Sequence, residues 1–283
     1  MKKAIIYLLI LSLGIIAFSC APEEPTPDPT PQAPTIEKTL NAIAEYALVN
    51  KIFSDSFTEA DNVAKNGDKQ LEGQKFEQAN YPVITVTPLD LTTWPKNIKV
   101  DYGNSNIICP DGVKRRGIIN LETTGFYHET GTEINVSFQD FFHNDYKVEG
   151  SMLVVNTGRN DNDNLVYTLK VTEGKITSPQ DKILYFEENT SREWAGGEDT
   201  VFEPCDDNYF ITGTQEGISS DSLEYSLTVQ QKLDVMVCCK YIRAGVLKIS
   251  ITGILPFSVD FGDGECDANA VAIINGAEYP FTM

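Results

Sequence analysis

Basic charge, histidine and tryptophan are scarce in this chain. Against 41 Asp plus Glu there are 22 Lys plus Arg, and the 283 residues include two His and two Trp. A formal net charge of -19 offers nothing to phosphate backbones or anionic headgroups, so nucleic acid is not an expected partner. No G-x-S-x-G elbow, Walker A loop, G-x-G-x-x-G or H-E-x-x-H is present, and the enzyme families that carry such motifs are set aside with their cofactors. No C-x2-C pair accompanies the two histidines, so no metal site is expected. Long apolar runs are also missing: the longest, Ala4–Phe18, falls short of the roughly 20 residues that span a bilayer. What the chain does have is 41% hydrophobic and 10% aromatic residues, enough for a core.

The N-terminus carries an address. Lys2 and Lys3 precede the apolar run, which ends at Ala17-Phe18-Ser19-Cys20. This is the layout of a secretory signal, and its end resembles a bacterial lipobox, which implies cleavage before Cys20 and lipid attachment to it. Phe18 is bulkier than the usual residue there. Residues 21 to 35 hold six of the 14 prolines and read as an extended tether of about 45 Å in polyproline II. Glu23-Glu24 beside the lipidated Cys reads either as solvated linker or, by resemblance to lipoprotein export signals, as a signal for the outer face of the outer membrane. The expected organisation is a signal peptide over 1–19, a lipidated Cys and Pro-rich tether over 20–35, and a single globular domain over 36–283.

From Ile36 the period is helical. Ile36, Leu40, Ile43, Ala47, Phe53, Phe57, Ala60 and Ala64 form a stripe, Thr35 is placed to cap, and Asn66-Gly67-Asp68 is placed to stop the helix. Ser54, Asp55 and Ser56 interrupt the stripe near its middle. Beyond about residue 80 the period becomes two: Ile134, Val136 and Phe138; Leu223, Tyr225, Leu227 and Val229; Val246, Ile249 and Ile251. Turn signals at Glu129-Thr130-Gly131, His143-Asn144-Asp145, Arg159 to Asn164 and Gly262-Asp263-Gly264 separate roughly a dozen strands. The expected fold is mainly β, of the α+β class: one long N-terminal amphipathic helix packed on a large antiparallel meander, either a curved sheet or a sandwich. The segments IKVDYG at 98–103 and FSVDFG at 257–262 echo each other, each with a Cys a few residues on.

The segments IKVDYG…CPDGVKRRGII, GTEINVSFQDFFHNDYKVEG, TSREWAGG and VDFGDGECDANAVAIING resemble a recurrent set in uncharacterised lipoproteins of Bacteroidetes. That resemblance implies a lineage and an outer-membrane location but carries no catalytic residues. Under the same lineage, Asp199-Thr200-Val201 and Asp221-Ser222-Leu223 resemble an O-glycosylation sequon, with Thr200 and Ser222 as the attachment sites.

Besides Cys20 there are five cysteines, so two disulfides and one free thiol fit an exported protein. Cys266 is expected to pair with Cys239 or Cys109. Cys238 and Cys239 are read as opposite faces of one strand and not as partners. His128 and His143 read as strand-end residues and not as members of a triad. Other chemistry is sparse. Glu187-Glu188 and Asp206-Asp207 are the paired acids, Asn160–Asn164 and Asp260, Asp263 and Asp267 are the oxygen clusters, and Trp94 and Trp194 are the aromatics that a glycan site would use, Trp194 with Arg192 beside it. The expected function is a lipid-anchored, non-catalytic cell-envelope protein, surface-exposed at the bacterial outer membrane, which binds or scaffolds a protein or glycan partner. The alternatives are a carrier that holds lipid or another apolar ligand against Phe53 and Phe57, and a glycan-binding module centred on Trp94.

Overall fold

The computed structural model describes residues 35–71, 82–200 and 204–283, which fall in one compact unit, Ala33–Met283. The signal peptide, Cys20 and most of the tether lie outside the described residues.

Among the described residues one α-helix, α1 (Ile36–Leu71), precedes fourteen strands. Thr35 caps the helix, its Oγ1 accepting from the Lys38 N–H at 3.3 Å and its carbonyl from the Thr39 N–H. The helix runs through Asn66-Gly67-Asp68 to Leu71 and does not stop there. A single helical glycine costs only about 1 kcal/mol, which the surrounding turns absorb. The buried stripe follows the sequence reading at Phe53, Phe57, Ala60 and Ala64 and departs from it in the N-terminal half. Leu40 is 60% exposed and Ala47 is exposed, whereas Ala42, Val49, Ile52, Phe53, Phe57, Ala60, Val63 and Ala64 are buried. Ser56 joins them, returning its hydroxyl to the Ile52 carbonyl at 2.8 Å. The polar interruption at residues 54–56 is therefore part of the packed face.

The strands are β1 (Val83–Thr87), β2 (Lys96–Asp101), β3 (Ile107–Ile108), β4 (Lys114–Thr123), β5 (Glu133–His143), β6 (Tyr146–Arg159) and β7 (Leu165–Thr177). They continue as β8 (Ile183–Gly196), β9 (Asn208–Ile218), β10 (Glu224–Met236), β11 (Ala244–Ile251), β12 (Phe257–Asp263), β13 (Asn269–Ile274) and β14 (Ala277–Thr282). All belong to one antiparallel sheet in chain order from β1 to β14, with β3 off the path as a second partner of β4. It is an open sheet, neither a closed barrel nor a sandwich.

The sheet curls around the helix. On α1, Glu59 reaches Arg115 of β4, Phe53 meets Phe138 of β5 and Phe186 of β8, and Tyr46 meets Tyr225 of β10. Laid flat, β5 and β8 would stand about 14 Å apart at roughly 4.8 Å per strand, yet the one Phe53 ring lies 6.3 Å from Phe138 and 5.2 Å from Phe186, and a curved sheet accounts for that approach. Irregular registers supply the bend, falling at Arg116/Ile118, Ser137/Phe142, Glu149/Ser151 and Val171/Gly174 on four successive strands. Gly117, with φ +88°, illustrates the requirement: a Cβ there would collide with the Asp140 carbonyl across the bulge.

Tight turns keep the meander in register. Asn144-Asp145 and Asn275-Gly276 are two-residue connections with positive φ at both positions, the geometry that matches strand twist. The sequence echo has a structural counterpart: Asp101 accepts from the Gly103 N–H, and Asp260 from the Gly262 N–H, each at 2.9 Å. In both copies the Asp of the Asx turn lies between a buried Val and a buried aromatic; Asp101 ends β2, whereas Asp260 lies within β12 where its register with β11 shifts. The last strand, β14, is exposed on every residue and lies at the end of the sheet. The pairings count outward from the Ile274 and Ala277 pair and leave the backbone of Pro280 facing the free edge, where the missing N–H interrupts the row of donors.

The core has two parts. One joins α1 to strands β1 through β8; the other lies under β10 to β13 and receives Ile43 and Tyr46 from the N-terminal half of the helix. Phe53 is 1% exposed and stacked on Phe186 at 5.2 Å, and Phe57 lies under the Arg192 guanidinium at 4.2 Å. Both phenylalanines are thus covered by the protein's own side chains.

Candidate functional site

The helix is pinned to the sheet by polar clusters. His143, the last residue of β5, is buried, and its Nε2 meets Asp55 Oδ2 at 2.7 Å. Its Nδ1 has no hydrogen-bond partner among the described residues. His128 lies not at a strand end but in the β4–β5 connection, its ring against Tyr127 and Trp194. Near the C-terminal half of α1, Lys65 pairs with Asp61 at 2.9 Å and sits 4.0 Å from the Trp194 ring centre, with Tyr209 Oη at 3.1 Å. Trp194 gives its indole N–H to Asp207 at 3.0 Å. Its cation is Lys65 and not Arg192, which faces Glu188 and Phe57.

These clusters make the fold acid-sensitive. Burial would raise the Asp55 carboxyl, but hydrogen bonds from His143 and Lys51 outweigh it and hold the group below the usual range. Asp111 behaves alike, with burial overcome by Arg115. A depressed folded pKa contributes stability that is present above the unfolded value, near 3.9, and lost as pH falls through the folded one. Thermal melts are therefore expected to hold their midpoint from pH 7 to about 5 and fall below about 4. Asp55→Asn should start lower at pH 7 and show a shallower fall; an equally steep fall would remove Asp55 as a source.

The remaining residues singled out by sequence disperse. Glu187 and Glu188 face opposite sides of β8: Glu188 is buried and bonded by Thr190 at 2.6 Å, and Glu187 is exposed. Asp206 accepts from Thr200 Oγ1 at 2.5 Å, whereas the neighbouring Asp207 is buried at Trp194. Asn160 Oδ1 accepts from the N–H groups of Asn162 and Asn164, so the 160–164 segment is a self-bonded hairpin loop. Among the described residues no three His, Cys, Asp or Glu side chains are grouped to hold a metal ion. Trp94 is half-buried, edge-on to Phe126 at 4.9 Å, with the buried Lys96 beside it. Thr200 lies in the single turn Glu198–Thr200 and Ser222 in the β9–β10 turn, both exposed. Of the two partners left open for Cys266, the bridge forms with Cys239, and Cys205 is joined to Cys238. Cys238 and Cys239 lie in the turn after β10 and not in a strand. Cys109 is a buried free thiol, which burial pushes up in pKa despite the neighbouring Arg115.

Among the described residues a concave site lies elsewhere, across strands β8 to β11. Two rows of side chains stand on the outer face. One row is Tyr185, Ile218 and Glu224, the other Glu187, Glu216, Ser226 and Ser250, each set by cross-strand register. Between them runs a groove of about 520 Å³, which Thr252, Ile254 and Pro256 also line. Its floor is the backbone of Phe186, Gly217, Tyr225 and Ile251. The side chains of Phe186, Tyr225 and Ile251 are 1 to 5% exposed and point into the core, so the groove opens outward. Gly217 is obligatory in this floor: a Cβ there would collide with the Tyr185 carbonyl and the Tyr225 hydroxyl.

No family model, curated protein or solved structure matches the chain. The functional reading therefore rests on the site itself.

The groove has an apolar wall and an acidic one. Tyr185 is 46% and Ile218 37% exposed, side by side. Glu187 stands directly opposite Glu216 on the neighbouring strand. Like charges so placed are destabilising, and no described side chain donates to or pairs with Glu187, Glu216 or Glu224. Lys175, opposite Tyr185 on β7, is already engaged by Glu149 at 3.0 Å. Of these residues the sequence reading singled out Glu187 alone, and with the wrong partner. The available signal was an aromatic, Tyr185, on the wet face of an alternating strand, but Glu216 could be placed beside Glu187 only by knowing the β8–β9 register.

Proposed function

We propose that this chain is a lipid-anchored, non-catalytic envelope protein of the Bacteroidetes type, which binds a partner on the outer surface of its sheet while Cys20 holds it at the bacterial outer membrane. The outer-face groove across β8 to β11 carries the binding part of this reading: its walls are exposed side chains free of internal partners. Helix side chains fill the opposite face of the sheet, with Val49 and Ile52 at 0% exposure. That packing favours recognition at the surface over an apolar cargo held between helix and sheet. The half-buried, protein-covered Trp94 gives little support to a glycan platform at that residue.

The anchoring part rests on the Lys2-Lys3 start, the Ala4–Phe18 run and Cys20 before the proline-rich segment. Each buried acyl methylene adds about 0.8 kcal/mol, so a multiply acylated Cys20 is a firm anchor. Its test uses the full chain expressed in a bacterium with a lipoprotein pathway and fed an alkyne palmitate. The wild type should carry label and sediment with outer membranes, and Cys20→Ser should appear unlabelled in the soluble fraction. Absence of label from the wild type refutes the anchor.

A further inference from the structure

We propose that the β8–β11 groove is a binding site for a short basic and apolar peptide segment of a partner protein, lying across the strands with cationic side chains against Glu187, Glu216 and Glu224 and an apolar side chain on Tyr185 and Ile218. The inference deepens the surface-binding reading and rests on it.

The dimensions fit such a segment. Three strand spacings give the groove a length of about 14 Å, and the two-residue step between its rows a width of about 7 Å. An extended chain advances about 3.3–3.6 Å per residue, so about four residues fill that length. Because the groove runs across the strands, its occupant cannot add to the sheet by backbone pairing. Recognition must come from side chains.

Charge decides the occupant's chemistry. Glu187 and Glu216 face each other without a cation, in a chain that already carries -19. A guanidinium or ammonium between them converts a repulsive pair into two attractive ones, and an arginine fork can bond both carboxylates. Glu224, next to Ile218 in the other row, offers a second cationic position. Tyr185 and Ile218, across the groove from Glu187 and Glu216, accept the apolar stem of the same side chain or a neighbouring leucine. Ser226 and Ser250 extend the acidic row with hydroxyls that can bond a peptide carbonyl. A neutral oligosaccharide would have to cover three carboxylates and leave their repulsion in place. An acidic or lipid phosphate ligand would be repelled.

The probe is a fluorescein-labelled, acetylated Arg-Leu-Arg-Leu peptide, titrated by anisotropy into the chain from residue 20 onward with its disulfides formed. Saturable one-to-one binding is expected at low salt, weakened as the screening length falls to about 8 Å at physiological ionic strength. Glu187→Gln with Glu216→Gln should weaken binding about five- to tenfold, in line with two exposed ion pairs. Tyr185→Ala should weaken it severalfold. A charge-matched control, Glu133→Gln with Asp161→Asn, should bind like the wild type, since both exposed residues lie outside the groove. The double glutamine variant should melt no lower than the wild type, because it removes a like-charge pair. Loss of affinity without loss of stability marks residues that serve a ligand.

Three results would overturn the inference: no saturable binding, equal weakening in the control pair, or equal affinity for Glu-Leu-Glu-Leu or for maltoheptaose. The second would assign the attraction to bulk charge, and the third would reassign the groove to another ligand class. None of them bears on palmitate labelling of Cys20, so failure of the groove and failure of the anchor are read separately.

Discussion

Phe53→Ala is expected to lower the stability of the domain by about 3–5 kcal/mol, the range for truncating a large buried aromatic. The Phe53 ring is 1% exposed, stacks on Phe186 at 5.2 Å and meets Phe138 edge-on at 6.3 Å. Its tip lies 3.0 Å from where a Cβ on Gly174 would stand, so the strand comes close enough to seal the ring because that residue is a glycine. The cavity left by alanine cannot collapse easily, since β5 and β8 are held apart by β6 and β7 in one hydrogen-bonded sheet. Chemical unfolding in urea measures the loss, and the thermal midpoint should fall by roughly 10 °C for a domain of this size. Leu40→Ala supplies the control. Leu40 is 60% exposed, so its truncation should stay within about 0.5 kcal/mol. Comparable losses at both positions would mean that α1 presents a different face to the sheet.

That pair of variants also marks the limit of what periodicity could convey. The strands were legible because each wet face alternates with a dry one: Ile134, Val136, Tyr225 and Leu227 are all buried as the two-residue period requires. The helix was legible as a helix, and so was its buried face from Phe53 to Ala64, but not that of its N-terminal half, where Leu40 and Ala47 are exposed. Alanine and leucine occur on both of its sides, and the face it buries is marked as much by polar contacts as by apolar ones, Asp55 to His143 and Lys65 to Tyr209 among them. A polar residue that bonds across an interface has the same letter as one that faces water. The choice between curved sheet and sandwich turned on bulges such as that at Gly117, where one extra residue shifts a register and bends a strand. The groove was least legible. Glu187, Glu216, Ser226 and Ser250 form one row only after three strand pairings are fixed, and each pairing depends on where its turn and bulges fall. The cysteines lay between these extremes: Cys239 was one of two partners open to Cys266, and the Cys205–Cys238 bridge was not singled out.

Reduction of the two disulfides is expected to loosen the C-terminal third of the sheet before the rest. Cys238 and Cys239 make the turn after β10 a junction, one tied back to Cys205 before β9 and the other forward to Cys266 before β13. With sequence separations of 33 and 27, each bridge restricts the unfolded chain by about 3.5 kcal/mol in the loop-entropy account. That contribution matters most where packing is thinnest. The cluster under β10 to β13 has eight buried apolar residues, and β14 has none, whereas the cluster around the helix runs from Val49 to Trp194 through strands β1 to β8. Hydrogen exchange read by mass spectrometry on oxidised and reduced protein separates the two regions. Amides of β11 to β14 should lose protection on reduction, while those of α1 and β5 to β8 keep most of theirs. Cys239→Ser with Cys266→Ser should reproduce the loss in β12 and β13 without a reductant. Equal loss in β5 to β8 would mean that the curled sheet opens as one cooperative unit, with the helix unable to hold its own half closed.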